Sequence, residues 1–201
     1  MQIDTKAQKT WERANHAYKH YICYIESKPD PISLSFTDLI FVKNFKGGMA
    51  TICEPVATLS TKLQCYAESL RKFRADSAFC QPLAKLSDAE YMHVRDEIIR
   101  FVQPPKKLDK IDGIRASFAS ALLHFYFPAV VPILDRRVLN GAGIQGIRVN
   151  NQDEVVNSLE LYPKLIDFFR SSLRSNPEKS LRELDRELFI QKLQSPPFRR
   201  R

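Results

Sequence analysis

No stretch of this chain approaches the ~18 consecutive apolar residues that a membrane-spanning helix needs. The longest apolar patches, around Phe125-Tyr126-Phe127 and Val130-Val131, are cut by Pro128 and Pro132. The start, Met1-Gln2-Ile3-Asp4-Thr5-Lys6, has no apolar segment behind a basic one, so it does not read as a secretory signal. Cysteine is scarce. Cys23, Cys53, Cys65 and Cys80 stand 30, 12 and 15 residues apart, which fits neither a CxxC zinc knuckle nor an iron–sulfur run. In a chain without a secretory signal they are expected to be reduced thiols in the core. Strand-like alternation is missing as well, except that 144–150 could hold one short strand. No repeat and no linker divides the chain. These absences point to an all-α, cytoplasmic protein with no metal, no cofactor and no membrane partner, and a monomer is expected.

What is present is ordinary for a globular domain: 201 residues, 44% hydrophobic and 27% charged, are enough to bury one sizeable core. Lys and Arg outnumber Asp and Glu by 31 to 23, a formal charge of +8. An excess of that size favours polyanionic partners such as nucleic acid.

Helical periodicity runs along most of the chain. Trp11, Ala14, Tyr18, Tyr21, Ile22 and Ile25 recur at steps of three and four, which predicts a helix over 5–26 with these tyrosines in the core. Ser35 or Thr37 caps a short helix through Leu39, Ile40 and Phe41. The loop after it, Phe45-Lys46-Gly47-Gly48, reads as a plain turn or as a wedge entering a groove. Val56, Leu59, Leu63, Tyr66 and Leu70 mark a helix over about 54–73, with Pro55 in its first turn. Ser87 and Glu90 form a capping box for a helix over 87–102. Later helices are expected at about 115–127, 135–141, 152–173 (bent or restarted at Pro163) and 179–193. Residues 1–195 read as a single helical domain, and 196–201 as a basic disordered tail. His93 and His124 are isolated on helices and read as core or surface residues.

One segment stands apart. Leu108-Asp109-Lys110-Ile111-Asp112-Gly113-Ile114-Arg115-Ala116-Ser117 is a tight glycine turn entering a helix rich in small residues, where backbone N–H groups can meet an anion. The small residues Ala116, Ser117, Ala119, Ser120 and Ala121 let a second backbone or a ligand come close. The segment continues to Pro132-Ile133-Leu134-Asp135-Arg136-Arg137-Val138, a proline-bounded loop in which an Asp opens a helix.

This pattern resembles the core of the helix-hairpin-helix DNA glycosylase superfamily. There a Leu-x-Gly-[Ile/Val]-Gly hairpin precedes a helix carrying Lys or a small polar residue, and a catalytic Asp follows 18 positions later. Gly113-Ile114 matches the hairpin, Ser117 the Lys-or-small position, and Asp135 lies 18 residues beyond Ser117. Pro132-Ile133-Leu134-Asp135 is similar to the adenine-glycosylase version, and Leu181–Phe189 to the closing helix of small relatives. The resemblance implies a compact two-lobed helical fold, a duplex DNA partner with a flipped base, and base excision. It also implies DNA contacts at Gly113, Arg115, Ser117 and Arg136, while Lys106, Lys107 and Lys110, clustered cations flanking the turn, read as phosphate contacts or as a solvated loop. Arg115 replaces the hairpin's second glycine, Ser117 stands where the Schiff-base Lys would be, and the four-cysteine cluster of the iron–sulfur members is missing.

The implied reaction is monofunctional hydrolysis of an N-glycosidic bond. Cleavage builds positive charge on the sugar, which a carboxylate such as Asp135 stabilises while water attacks. Without an amine at position 117 the covalent route lacks its nucleophile. The structural alternative for Asp135 is a helix N-cap, worth ~1 kcal/mol, and for Ser117 a small packing residue. At the level of the whole chain, the alternatives are a non-catalytic nucleic-acid-binding module and a helical protein-interaction domain.

Overall fold

The computed structural model describes residues 2–48, 51–103, 110–151 and 155–191. Lys106, Lys107 and the 196–201 tail lie outside the described residues. Within them the protein is all-helical, with eight α-helices: α1 Thr5–Ser27, α2 Phe36–Phe45, α3 Val56–Ala75, α4 Asp88–Val102, α5 Ala116–Tyr126, α6 Arg136–Gly141, α7 Ser158–Ser175 and α8 Leu181–Ile190. Two 3-10 turns, Ser77–Cys80 and Leu83–Lys85, bridge α3 and α4. Among the described residues no strand forms. The 144–150 stretch contributes a single bridge, Val149 to Val155, and Ile3 makes another to Gln191. Within the same residues, no helix is long and apolar enough to cross a membrane.

The helices start where side chains can take their orphan N–H groups. Asp4 Oδ1 accepts from Lys6 and Ala7 at 2.9 and 3.1 Å. Ser87 and Ser180 exchange bonds with Glu90 and Glu183 as capping boxes, and Ser35 begins α2 with Asp38 in the reciprocal role. Pro55 sits one position earlier than expected, just before the first turn of α3. Pro163 is accommodated inside a continuous α7.

Helix α5 is central. Every residue from Phe118 to Phe125 is buried, and it packs against α1, α2, α4 and α7. Helix α8 closes the fold by packing on α1, α6 and α7. It meets α6 at Gly141, where an added Cβ would lie 2.3 Å from the Leu188 carbonyl oxygen. Tyr21 is fully buried, and its hydroxyl donates to Asp38 at 2.9 Å. Asp38 also pairs with Lys28 at 2.9 Å, which gives this buried carboxylate a cation and a neutral donor.

The cysteines correct the sequence reading. Cys23, Cys53 and Cys80 are exposed and Cys65 is half-buried, all as free thiols. Cys23 is two residues from both Tyr21 and Ile25, about 200° round the helix from each, and so lies on the outer face of α1.

Candidate functional site

Asp135 is placed by the loop before it, and that loop is buried. Val130 through Leu134 are at most 3% exposed among their apolar members, and a buried loop must find partners for its backbone. Three side chains supply them. His124 Nδ1 bonds the Val131 carbonyl at 2.7 Å, the Tyr162 hydroxyl donates to the Pro132 carbonyl at 2.7 Å, and Leu134 N–H donates to Ser120 Oγ at 3.0 Å. Ser120 in turn donates to the Ser117 carbonyl at 3.0 Å. Among the small residues of α5, Ser120 thus admits a second backbone, and that backbone is the protein's own 131–134 loop. Full burial pushes the His124 imidazole down to about 3. It is therefore neutral and donates through Nδ1, which leaves Nε2 as a buried acceptor without a partner.

Asp135 itself is extended and caps α6, its Oδ1 accepting from Arg137 N–H at 2.8 Å. Its Oδ2 pairs with Lys46 Nζ at 3.2 Å, and the side chain is 27% exposed. Burial raises the carboxyl's tendency to hold a proton. The Lys46 charge and the Arg137 N–H, with a smaller part from Arg136, outweigh this and hold it below the usual aspartate range. Asp135 is ionised at neutral pH, so the cap and a charged, partly solvent-facing carboxylate coexist in one side chain.

Arg137 is a structural residue. Its Nη2 pairs with Asp4 at 2.7 Å and its Nε donates to the Phe189 carbonyl at 3.0 Å, tying α6 to the ends of α1 and α8. Arg136 is half-buried.

The glycine turn is where the sequence places it, but its inner side is occupied. Gly113 has φ +87°, and an added Cβ would lie 1.9 Å from the Thr51 carbonyl oxygen and 2.9 Å from Cys53 N. Cys53 N–H donates to the Asp112 carbonyl at 3.0 Å, and Ile114 N–H donates to Ile111 at 3.1 Å. Glu54 Oε2 accepts from Asp112 N–H at 2.8 Å, and Lys62 donates to the Lys110 carbonyl at 2.7 Å. Two of the turn's N–H groups, on Asp112 and Ile114, are therefore satisfied within the protein and do not await an anion. The side chains of Lys110 and Arg115 are exposed, and Ser117 is half-buried.

Two parts of the site went unread in the sequence. Lys46 was visible only as part of a turn, and its partner is 89 residues away. On α8 the buried Asp185 pairs at 2.8 Å with the partly exposed Arg182, and the Asp135 charge acts on Asp185. A signal for them existed: Asp185 falls on the same face as Leu181, Leu184 and Leu188, where a charge is out of place.

Among the described residues, the surface has a groove on either side of the start of α8. One, of about 490 Å³, lies between α1 and the start of α8 and is lined by Gln8, Trp11, Asn15 and Arg182 among others; the second, of about 240 Å³, lies between Lys179, just before α8, and Arg186 on that helix. Asp135 lines neither. Among the described residues no group of three or more His, Cys, Asp or Glu side chains is placed to hold a metal ion. No protein-family model matches the chain, and searches of curated proteins and of solved structures find no match.

Proposed function

We propose that this protein binds duplex DNA and hydrolyses the N-glycosidic bond of an extruded, modified or damaged base, with Asp135 as the carboxylate that stabilises the developing charge on the sugar. The observation that carries the reading is the state of Asp135. It is ionised, partly exposed and fixed by a loop whose backbone is held at three points. A preorganised charge of this kind is what an oxocarbenium-like transition state requires. Ser117 offers no amine, so water is the nucleophile. Lys106, Lys107, Lys110, Arg115 and Arg136 serve as phosphate contacts, which position the duplex without reading its sequence.

A second reading, a nucleic-acid-binding module without catalysis, is favoured by a specific observation. Both Asp135 oxygens are already engaged, and Asp135 lines neither of the two grooves described above. Incubation with a panel of duplex oligonucleotides bearing modified bases, followed by alkaline cleavage at abasic sites, separates the two. Strand scission at one modified base supports the enzyme. Salt-sensitive binding with no scission across the panel supports the module.

A further inference from the structure

A second carboxylate, on which the charges of both Lys46 and Asp135 act, has unusual surroundings. Asp185 is 2% exposed. Its Oδ2 accepts from Arg182 Nη1 at 2.8 Å, while its Oδ1 is buried without a partner. Arg182 cannot easily turn to cover that oxygen. Its guanidinium stands over the rings of Trp11, Tyr18 and Phe45 at 4.0, 4.7 and 5.6 Å, and its own Nε and Nη2 are also buried without partners.

A buried carboxylate oxygen without a donor either shares a proton or draws in another cation. The second cation at hand is Lys46, whose charge acts on Asp185 as well as on Asp135. Lys46 meets Asp135 at 3.2 Å, longer than the 2.7 and 2.9 Å of the Lys62–Glu54 and Lys28–Asp38 pairs, and longer than is usual between charged partners. Lys46 ends α2, and its backbone is held there: the N–H groups of Lys46, Gly47 and Gly48 donate to the Val42, Asn44 and Lys43 carbonyls at 2.9, 3.1 and 2.8 Å, so any exchange of partner is a swing of the long lysine side chain alone.

We infer that Asp185 is a positioning residue that competes with Asp135 for Lys46. While Asp185 holds a proton, Lys46 stays on Asp135 and covers its Oδ2. When Asp185 gives that proton to solvent, Lys46 turns inward to Oδ1 and Asp135 is uncovered. The groups that bear on Asp185 are Arg182 on its own helix, Tyr18 from α1, Lys46 from the end of α2 and Asp135 from the cap of α6. Burial pushes Asp185 up to about 7, with Arg182 opposing and the Asp135 charge adding, so the exchange falls near neutrality. The catalytic consequence rests on the proposed function: an uncovered Asp135 is the competent form, and base release rises with pH through this window.

The test needs no DNA. Carboxyl ¹³C signals of the full chain, labelled at aspartate Cγ, are followed across pH, with Asp135 identified through Asp135→Asn. In the wild type the Asp135 signal is expected to step near pH 7, with the Lys46 Nζ signal moving at the same midpoint. In Asp185→Asn, neutral at every pH, both steps should be lost. Steps that persist unchanged in the folded variant overturn the inference, as does a wild-type Lys46 signal that stays still. If Asp185→Asn does not fold, Lys46→Met carries the test: losing the shared cation must move the Asp185 midpoint upward, and an unchanged midpoint overturns the competition. Coupled signals with no base release would remove the proposed function and leave the competition standing. Base release with the same pH profile in wild type and Asp185→Asn would do the reverse.

Discussion

Gly113→Ala is a severe small change, and its cost can be assembled from the geometry. At φ +87° an alanine is strained, by roughly 1–2 kcal/mol. Its Cβ would also stand 1.9 Å from the Thr51 oxygen and 2.9 Å from Cys53 N, both backbone atoms that cannot swing aside as a side chain does. The 51–53 strap must move. That breaks the Cys53 N–H bond to the Asp112 carbonyl, about 1 kcal/mol, and adds a packing strain of about 1–3 kcal/mol. The total is roughly 3–6 kcal/mol, which for a chain of this size lowers Tm by roughly 6–24 °C. Gly47→Ala is the internal control. At φ +84° it carries the same backbone strain, yet nothing lies within 4 Å of its Cβ, so it should cost only about 1–2 kcal/mol. Urea denaturation of both variants isolates the close approach. If they are equally stable within about 1 kcal/mol, the strap does not pack on the turn as described.

Removing the Tyr162 hydroxyl with Tyr162→Phe leaves the buried Pro132 carbonyl without its donor; urea denaturation should show a loss of about 1–3 kcal/mol, and a loss under 0.5 kcal/mol, roughly the scale of a surface change, would mean the loop is held otherwise. Glu54 supplies a pH dependence: bonds from Lys62, Thr58 and the Asp112 N–H hold its carboxyl at about 2, against an ordinary 4.5. The stabilisation is present above 4.5 and is lost as pH falls through 2. Glu54→Gln should therefore be less stable than wild type at pH 7 and converge with it as the pH falls towards 2; a gap that stays constant on acidification contradicts the pairing. Replacing Lys106, Lys107, Lys110 and Arg115 together by Ala should weaken DNA binding for all sequences alike and flatten its salt dependence, by about one slope unit per lost phosphate contact. An unchanged salt slope in the folded variant would remove this segment as the anchor.

Much of the helical framework is legible because apolar residues repeat every three or four positions over long runs. Trp11, Tyr21 and Ile25 in α1, and Leu59, Leu63, Tyr66 and Leu70 in α3, mark their helices and their buried faces. The Ser87–Glu90 capping box fixes a boundary to the residue. The chain between α3 and α4 was not legible. Its 3-10 turns are too short to show a period, yet they bury Ala78, Phe79 and Leu83, and Leu86 follows with its carbonyl bonded by Arg170 and Arg174. Asp135 as the cap of α6 was legible from its local context, since a cap and a proline-bounded loop are features of adjacent residues. Lys46 was not, because an ion pair between a turn and a helix 89 residues later leaves no pattern in either segment. The cysteines were misplaced for a related reason: a small thiol fits an outer helix face as readily as a core, and composition does not say which.

The most direct test of the account is the rate of base release by wild type and Asp135→Asn on a duplex carrying whichever modified base the wild type excises. Asparagine keeps the size and a carbonyl oxygen that can accept from the Arg137 N–H, so the variant should fold and still bind DNA. It removes the charge, so base release should fall by ~10²-fold or more. Equal rates in the two folded proteins would reduce Asp135 to a helix cap and contradict the central claim.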